Sequence, residues 1–277
     1  MTGYIFTAPS LFGFVFFFAL PFLMSIFYSV TKGVGNIRFV VFENFAELFS
    51  NGVFMLALKN TLLFNVVGIP VLLVLSLFAA SFLNQSGAKY SFFRTLFTMP
   101  VVLPSASVVI VWQLFFAQKG TVNGILHLFG MQGPDYLQSG LAFSVLILLY
   151  LWKNGGYAMI LFIAGLNNVP REYYQAAAID GCSRSQLFFR ITLPLLTPTA
   201  FFVFIIALVN SLRIYREAYL LSGQYPDSSI YMLQHFMNNN FTNLNYQRLS
   251  AASVLTFIFI SVLIYTLFKF ENKFDTH

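Results

Sequence analysis

The side chains of this sequence that could do chemistry are few, and those inside apolar stretches are the most informative. Lys153 and Asn154 lie midway along one apolar stretch, whereas Arg213, Arg216 and Glu217 lie toward the end of another. An ionisable group at the centre of a membrane-spanning helix costs roughly 2.5–3.5 kcal/mol to insert, and it usually faces a protein interior. These residues therefore point to a polar path within the protein.

The chemistry that such a path offers is the binding of a polar solute. Planar polar groups beside aromatic faces are suited to holding a carbohydrate, and further amides and aromatic residues flank the charged ones. Lys153 has no partner within its own helical turn, which favours a cavity, whereas Arg213 and Glu217 have the i,i+4 spacing of a structural ion pair. The predicted substrate path consists of Lys153, Asn154, Trp152, Gln113, Asn210, Arg213 and Tyr215.

Catalytic and metal chemistry find no support in the sequence. No paired carboxylates, histidine motif or nucleophile with a base occur at the depth of a span, so no catalytic residue is predicted. His127, His235 and His277 do not lie at the spacing of metal ligands, so no metal site is predicted. A glycine-rich phosphate loop is absent, so we expect any nucleotide to bind to another subunit.

The composition places these residues in a membrane protein. Of the 277 residues, 58% are apolar and 9% are charged, against about 25% charged in a soluble domain. A span needs about 20 residues to cross a bilayer core of about 30 Å, so the length allows six. The predicted spans are Tyr4–Ser29, Leu58–Leu83, Phe92–Phe116, Leu141–Ala164, Leu195–Leu221 and Ser250–Phe270.

Six spans place both termini on the same side of the membrane. Basic residues are enriched in cytoplasmic loops, and their density is higher in the short loops on the side of the termini. We therefore expect a multi-pass protein of the cytoplasmic membrane with both termini in the cytoplasm, and no nucleic-acid partner. The seven basic residues on that side are Lys89, Arg94, Arg171, Arg184, Arg190, Lys269 and Lys273.

A semi-polar segment between the fourth and fifth spans shows the signals of two short helices. The run from Asn167 to Glu172 is typical of a helix start, with an Asn near the cap, a Pro in the first turn and an acid just inside it. Gly181 fits a helix stop, and Ser183 with Gln186 matches a capping box that starts a second helix. We expect Pro194 to end that helix. This elbow, about residues 165–194, could pack on its own chain or dock a soluble partner.

The elbow resembles the coupling loop of binding-protein-dependent ABC importer permeases, in the form found in carbohydrate importers. The stretches that carry the resemblance are EYYQAAAIDG (172–181) and ITLPLLTP (191–198). The flanking stretches GLNNVP (165–170) and REAYLLSGQYP (216–226) extend it. The resemblance implies an all-α integral membrane protein of the MetI-like permease fold, with six spans, a cytoplasmic coupling elbow and one permease domain over residues 1–277.

The resemblance also implies which residues and partners couple transport to ATP. The elbow would enter a cleft of an ATPase subunit, with contacts from Glu172, Gln175, Ala176, Ala177, Asp180 and Gly181. The implied partners are a second homologous permease, two ATP-binding subunits that bind ATP and Mg²⁺, an extracytoplasmic solute-binding protein, a carbohydrate and membrane lipid. No cofactor is expected in this chain, and the chain itself is not expected to be an enzyme.

One residue departs from the family pattern, because Gln175 stands where the family carries a glutamate. The charge contact with the ATPase is then absent or borne by Glu172 or Asp180. Two other functions are considered: a self-sufficient channel or secondary transporter, and an enzyme of the membrane interior. A secondary transporter would carry an inverted repeat or a coupling-ion site, and neither feature is visible in the sequence.

Overall fold

The computed structural model describes residues 2–33, 36–85 and 87–274 of the chain, and most of them are helical. Of the residues discussed above, His277 and the side chain of Lys273 lie outside the described residues. The helices are α1 (Thr2–Phe14), α2 (Leu20–Ser29), α3 (Glu43–Phe49), α4 (Gly52–Leu83), α5 (Ala88–Val102), α6 (Ser105–Phe116), α7 (Thr121–Leu128), α8 (Ala142–Asn168), α9 (Arg171–Ile179), α10 (Arg184–Leu187), α11 (Leu193–Leu195), α12 (Thr197–Arg213), α13 (Tyr215–Ser222), α14 (Leu233–Thr242) and α15 (Tyr246–Phe274). Strands β1 (Thr31–Lys32) and β2 (Arg38–Phe39) form an antiparallel ribbon.

The helices confirm the prediction of an all-helical membrane protein. Five helical stretches of the described chain are long and apolar enough to cross a bilayer, and a bent helix pair supplies a sixth. Each of the six predicted spans overlaps one of them. The five stretches are Phe6–Ser29, Gly52–Leu83, Ala142–Asn168, Thr197–Ser222 and Tyr246–Lys269, and the bent pair is Ala88–Val102 with Ser105–Leu128.

The bent pair arises at a proline. Pro100 lies inside α5 and is buried, whereas Pro104 precedes α6 and the two helix axes differ by 102°. A proline disfavours helical backbone in the residue before it, and Leu103 is accordingly extended, with ψ at 135°. The chain therefore breaks at Leu103–Pro104, and α6 starts again with Ser105.

Two other prolines are accommodated by a wider helical turn. A π-helical turn at Val15–Ala19 ends two residues before Pro21, and a second at Phe188–Thr192 ends two residues before Pro194. In an α-helix the proline ring collides with the carbonyl of the residue four positions earlier, and a π turn changes that spacing. Both helices therefore continue past their proline.

The contacts of the chain group into two compact units. The terminal unit contains residues 1–59 and 232–277, and the central unit contains residues 60–231. The prediction of one permease domain stays a prediction.

Within the central unit, α8 is the helix on which the others pack. Tyr150 of α8 is fully buried, and its hydroxyl donates a hydrogen bond of 2.8 Å to the carbonyl of Ala207 in α12. Its ring packs against Phe64 of α4 with centroids 5.3 Å apart. The hydroxyl of Ser76, also in α4, donates to the carbonyl of Gly155 at 3.2 Å. These contacts fix the position of the polar middle of α8.

We expect Gly156→Ala to destabilise the central unit. A Cβ at Gly156 would lie 1.8 Å from the carbonyl oxygen of Phe97 and 2.9 Å from the Cα of Thr98. These atoms belong to the backbone of α5, so the helix itself must move, at a cost of about 1–3 kcal/mol. A lower thermal unfolding midpoint of the purified protein in detergent checks this.

The adjacent glycine provides the matched control. A Cβ at Gly155 would lie 3.9 Å from Leu72 and 4.0 Å from Ser76, which is ordinary contact. Because alanine favours the helix over glycine by about 1 kcal/mol, Gly155→Ala should keep or raise the midpoint. Equal midpoints for the two variants would contradict the close approach of α5 and α8.

Within the terminal unit, α2 packs against α15, and the rings of Phe22 and Phe257 lie with centroids 4.7 Å apart. The end of α2 is closed by Asn44 of α3. Its buried amide donates hydrogen bonds to the carbonyls of Ser29 at 2.8 Å and Thr31 at 2.9 Å. This amide fixes the connection from the first span into the β ribbon.

The start of α14 depends on a buried histidine. His235 is fully buried, and its Nδ1 accepts a hydrogen bond of 3.1 Å from the backbone N–H of Met232. Burial lowers the pKa of His235 to about 4. The imidazole is therefore neutral at pH 7, and the acceptor nitrogen carries no proton.

We expect the stability of the protein to fall as the pH decreases through the range 6.5 to 4. Unfolded histidine has a pKa of about 6.5, so in this range the unfolded chain binds a proton that the folded chain does not. The loss from His235 reaches about 2 kcal/mol at pH 5, at 1.36 kcal/mol per pKa unit. Unfolding midpoints at pH 7.5 and pH 5 measure it. His235→Gln keeps an acceptor for Met232 without titrating, and an equally large pH effect in that variant would contradict the assignment.

Candidate functional site

The first arm of the elbow is α9, which ends in a Schellman motif. The backbone N–H of Cys182 donates to the carbonyl of Ala177 at 3.0 Å, and that of Gly181 donates to Ala178 at 3.2 Å. Gly181 has a φ of +69°, which a residue with a Cβ rarely adopts. The predicted helix stop at Gly181 is thus confirmed, and glycine is what allows the chain to turn there.

The cap of this arm differs from the prediction. The structure continues α8 through Asn168, and Pro170 precedes α9 in extended conformation without a side-chain cap. The predicted helix start is confirmed, since α9 begins at Arg171, but its cap is Pro170, and Asn167 and Asn168 belong to α8. The sequence has no helix-stop signal before Asn168, so Asn167 and Asn168 form part of the last turn of α8.

The second arm begins as predicted and ends one residue after the predicted position. The hydroxyl of Ser183 accepts from the N–H of Gln186, and the Gln186 side chain accepts from the N–H of Ser183, which completes the capping box. The expected helix end at Pro194 is one residue early, because the π turn at Phe188–Thr192 leads into α11, which ends at Leu195. A turn at Leu196 then connects the second arm to α12 in the fifth span.

The two arms are joined by a side-chain hydrogen bond, and their outer surfaces are exposed. The hydroxyls of Tyr174 and Thr192 lie 3.3 Å apart. Ile179 is 87% exposed and Phe189 is 65% exposed. Among the predicted coupling residues, Ala177 is buried. The exposed ones are Glu172, Gln175, Ala176, Asp180 and Gly181. Most of the elbow surface is therefore open to a partner.

A polar cavity of about 230 Å³ lies between the helices of the central unit. It brings together four of the seven residues of the predicted substrate path, namely Lys153, Asn154, Asn210 and Arg213. The remaining lining residues are Val101, Ser105, Ile214, Arg216 and Glu217. Residues from α5, α6, α8, α12 and α13 thus meet at one place.

Three polar side chains at this cavity form a hydrogen-bonded triad. The Lys153 ammonium forms an ion pair with the Glu217 carboxylate and donates to the hydroxyl of Ser105 at 2.6 Å. That hydroxyl in turn donates to Glu217 at 2.8 Å. The Glu217 side chain is 5% exposed and that of Lys153 is 20% exposed. The triad ties α8, α6 and α13 together.

This arrangement corrects the expected pairing of Arg213 with Glu217. Among the described residues, the ion pair that Glu217 makes is with Lys153. Arg213 is the last residue of α12, and α13 begins after Ile214. The i,i+4 rule assumes an unbroken helix, and the break at Ile214 removes that basis.

The other three residues of the predicted path do not line this cavity. Trp152 faces a separate apolar cavity of about 610 Å³ with Leu72, Phe97 and other apolar residues, and its ring lies 6.2 Å from that of Trp112. The side-chain amide of Gln113 donates hydrogen bonds of 3.1 Å each to the backbone carbonyls of Leu220 and Leu221, near the end of α13. Tyr215 packs against Tyr219 with centroids 5.6 Å apart.

Sequence reasoning missed Ser105 as a member of the triad. The sequence pattern around Ser105 gives little indication of this role, because a serine that follows a proline is typical of an ordinary helix start. Lys153 and Ser105 are 48 residues apart, and Lys153 and Glu217 are 64 apart. No local spacing rule connects them.

Comparison with known proteins gives consistent results. The family described as "Binding-protein-dependent transport system inner membrane component" matches residues 72–273. The chain is 31% identical to "Probable ABC transporter permease protein YesP" of Bacillus subtilis (strain 168), over 99% of this chain and 90% of that protein. It is 32% identical to "Lactose transport system permease protein LacF" of Rhizobium radiobacter, over 79% of this chain and 75% of that protein.

Solved structures share the fold at low identity. A chain of a bacterial ABC transporter involved in the import of the acidic polysaccharide alginate has a TM-score of 0.83 at 22% identity, over 98% of this chain and 94% of that chain. The same type of transporter, in complex with an alginate pentasaccharide-bound periplasmic protein, has a TM-score of 0.80, also at 22% identity, over 95% of this chain and 91% of that chain.

Proposed function

The chain belongs to the family of binding-protein-dependent transport system inner membrane components, and from this premise we propose that it is a permease subunit through which an ABC importer translocates a sugar or oligosaccharide. Relatives named for the transport of lactose, arabinooligosaccharides and multiple sugars support the substrate class. The chain is a transport subunit and not an enzyme, as its relatives are permease proteins.

The observation that carries the proposal is the exposed elbow between two spans. Isolated helices as short as its arms are marginal in water, and α9 buries Ala177 alone among its residues. Two large apolar side chains of the elbow, Ile179 in α9 and Phe189 in the second arm, lie at the surface. These features favour docking on a partner over packing on its own chain, and the partner we propose is the cleft of an ATPase subunit.

The proposed assembly has this chain in the bacterial cytoplasmic membrane with both termini and the elbow in the cytoplasm. A second homologous permease completes the path, and two ATP-binding subunits hold ATP and Mg²⁺, so this chain needs no cofactor of its own. A solute-binding protein delivers the carbohydrate on the outer side.

The contact with the ATPase subunit involves a neutral group at its centre. Gln175 is exposed on α9; it keeps the shape and one acceptor oxygen of the family's glutamate, replaces the other oxygen with an NH2 donor, and lacks the charge. Glu172 and Asp180 are also exposed, one near each end of α9. We propose that one of these carboxylates makes the charge-assisted hydrogen bond to the ATPase, since such bonds are about twice as strong as neutral ones.

Purification and reconstitution of the complex test this function. An affinity-tagged chain should bring an ATPase subunit and a second permease with it from the membrane. In proteoliposomes, sugar-loaded binding protein should raise ATP hydrolysis and drive sugar uptake. Uptake by this chain alone, without an ATPase, would instead identify a channel or secondary transporter.

A further inference from the structure

The polar cavity of the central unit carries an excess of positive charge. Three cations, Lys153, Arg213 and Arg216, line it together with one carboxylate, that of Glu217. In the part of the chain that the structure describes, Lys153 and Glu217 neutralise one another. Among the described residues neither Arg213 nor Arg216 forms an ion pair, so two guanidinium groups remain without a carboxylate partner at this cavity.

We propose that this cavity binds an anionic group of the transported solute, namely a carboxylate, sulfonate or phosphate on a sugar. The inference rests on the proposed function as a sugar permease and specifies the substrate class. A guanidinium presents several N–H donors in a fixed plane, which match the oxygens of carboxylate and phosphate groups in pairs. The side chains of Arg213 and Arg216 are exposed, so they can reach an entering ligand.

The remainder of the lining supports recognition by charge. None of the nine residues that line the cavity is aromatic, and the tryptophan and tyrosine of the predicted path lie elsewhere. Stacking of a sugar ring on an aromatic face is therefore not what this cavity offers. The amides of Asn154 and Asn210 add neutral hydrogen-bonding groups beside the arginines.

The size of the cavity fits one charged unit. At about 230 Å³ it is smaller than the roughly 300–1,000 Å³ typical of pockets for drug-sized ligands. The cavity therefore has room for the charged group of one sugar unit.

The triad has a defined role in this binding. Glu217 is buried and held by both Lys153 and Ser105, so it does not swing out to neutralise an arginine. Its pairing with Lys153 leaves the two arginines as the groups that determine the sign of the ligand. Arg213 and Arg216 are therefore the specificity-determining residues of the proposed site.

The test compares matched neutral and anionic sugars in the reconstituted complex with its own binding protein. The probes are digalacturonate against galactobiose, sulfoquinovose against glucose, and glucose 6-phosphate against glucose. We expect uptake and stimulated ATP hydrolysis with one or more of the anionic probes and not with the neutral partner. In the Arg213→Gln, Arg216→Gln double variant, the KM for that probe should rise about tenfold or more, with kcat little changed.

Controls separate this inference from the proposed function. Arg38→Gln removes the same charge from the exposed strand β2 of the terminal unit and should leave the KM unchanged. Transport of the neutral sugars as well as the anionic ones, or an unchanged KM in the double variant, would overturn the inference and leave the sugar permease intact. Absence of uptake and of stimulation with every sugar would instead overturn the proposed function.

Discussion

Replacement of Gly181 by proline is expected to leave the importer complex assembled and to reduce uptake at least about tenfold. Proline fixes φ near −65°, whereas Gly181 has a φ of +69° and donates its N–H to Ala178. The substitution therefore destroys the turn between the arms and its hydrogen bond, at a local cost of about 1–3 kcal/mol. A tenfold lower rate of uptake corresponds to an activation free energy that is higher by about 1.4 kcal/mol. A misplaced turn between the arms is therefore sufficient to cause the expected loss of uptake.

The control for this variant is Gly181→Asn, because asparagine adopts the left-handed conformation more readily than other residues with a side chain. No atom lies within 4 Å of a Cβ at this position, so the asparagine fits and uptake should stay close to normal. Binding-protein-stimulated ATP hydrolysis and uptake are measured together, with co-purification of the ATPase as the check on assembly. Normal coupling in Gly181→Pro would show that the elbow does not transmit motion.

Loss of the Lys153 ammonium is expected to cost about 3–5 kcal/mol of stability. Lys153→Met leaves the Glu217 carboxylate, 5% exposed, without its counter-ion, and breaking a buried pair on one side carries a penalty of that size. Replacement of both partners, as in Lys153→Met, Glu217→Met, removes the stranded charge and should recover most of the loss. The thermal midpoint of the purified complex in detergent measures each variant and the coupling between them.

A surface pair in the same chain serves as the reference. Lys32 contacts Glu43 at 2.7 Å and also contacts Glu47, with both carboxylates about half exposed. Such pairs contribute little because water and salt screen them, so Lys32→Met should leave the midpoint nearly unchanged. Equal effects of Lys32→Met and Lys153→Met would contradict the buried character of the triad.

The elbow could be predicted from the sequence because its signals are local. Gly181 stops a helix through its positive φ, and Ser183 with Gln186 starts a helix as a capping box; each signal involves residues within a single turn. The structure shows both features as predicted. The π turn before Pro194 could not be predicted by the same rules. The residue types at 188–192 do not specify a π turn, and other prolines of the chain, such as Pro70, lie inside an α-helix without one.

The polar cavity could be predicted only in part, because its contacts join distant segments. Because an ionisable side chain is costly to insert into a membrane span, Lys153 and Arg213 are predicted to face a polar path inside the protein. Both line the polar cavity. The partner of Lys153 depends on how α8, α6 and α13 pack, and Ser105 enters only because the chain breaks before it. Trp152 and Gln113 also lie within spans, but their side chains face other parts of the structure. Trp152 lines the apolar cavity, and Gln113 donates a hydrogen bond to the backbone carbonyl of Leu220.

The connection of the elbow to α12 through the turn at Leu196 also has a mechanical consequence. Helix α12 alone has 17 residues, which at 1.5 Å per residue form a lever of about 25 Å. A tilt of about 5° at the elbow would then move the far end by about 2 Å, roughly the distance that separates a formed hydrogen bond from a broken one. A small displacement imposed at the start of α12 is thus enlarged at its far end, where Asn210 and Arg213 line the polar cavity.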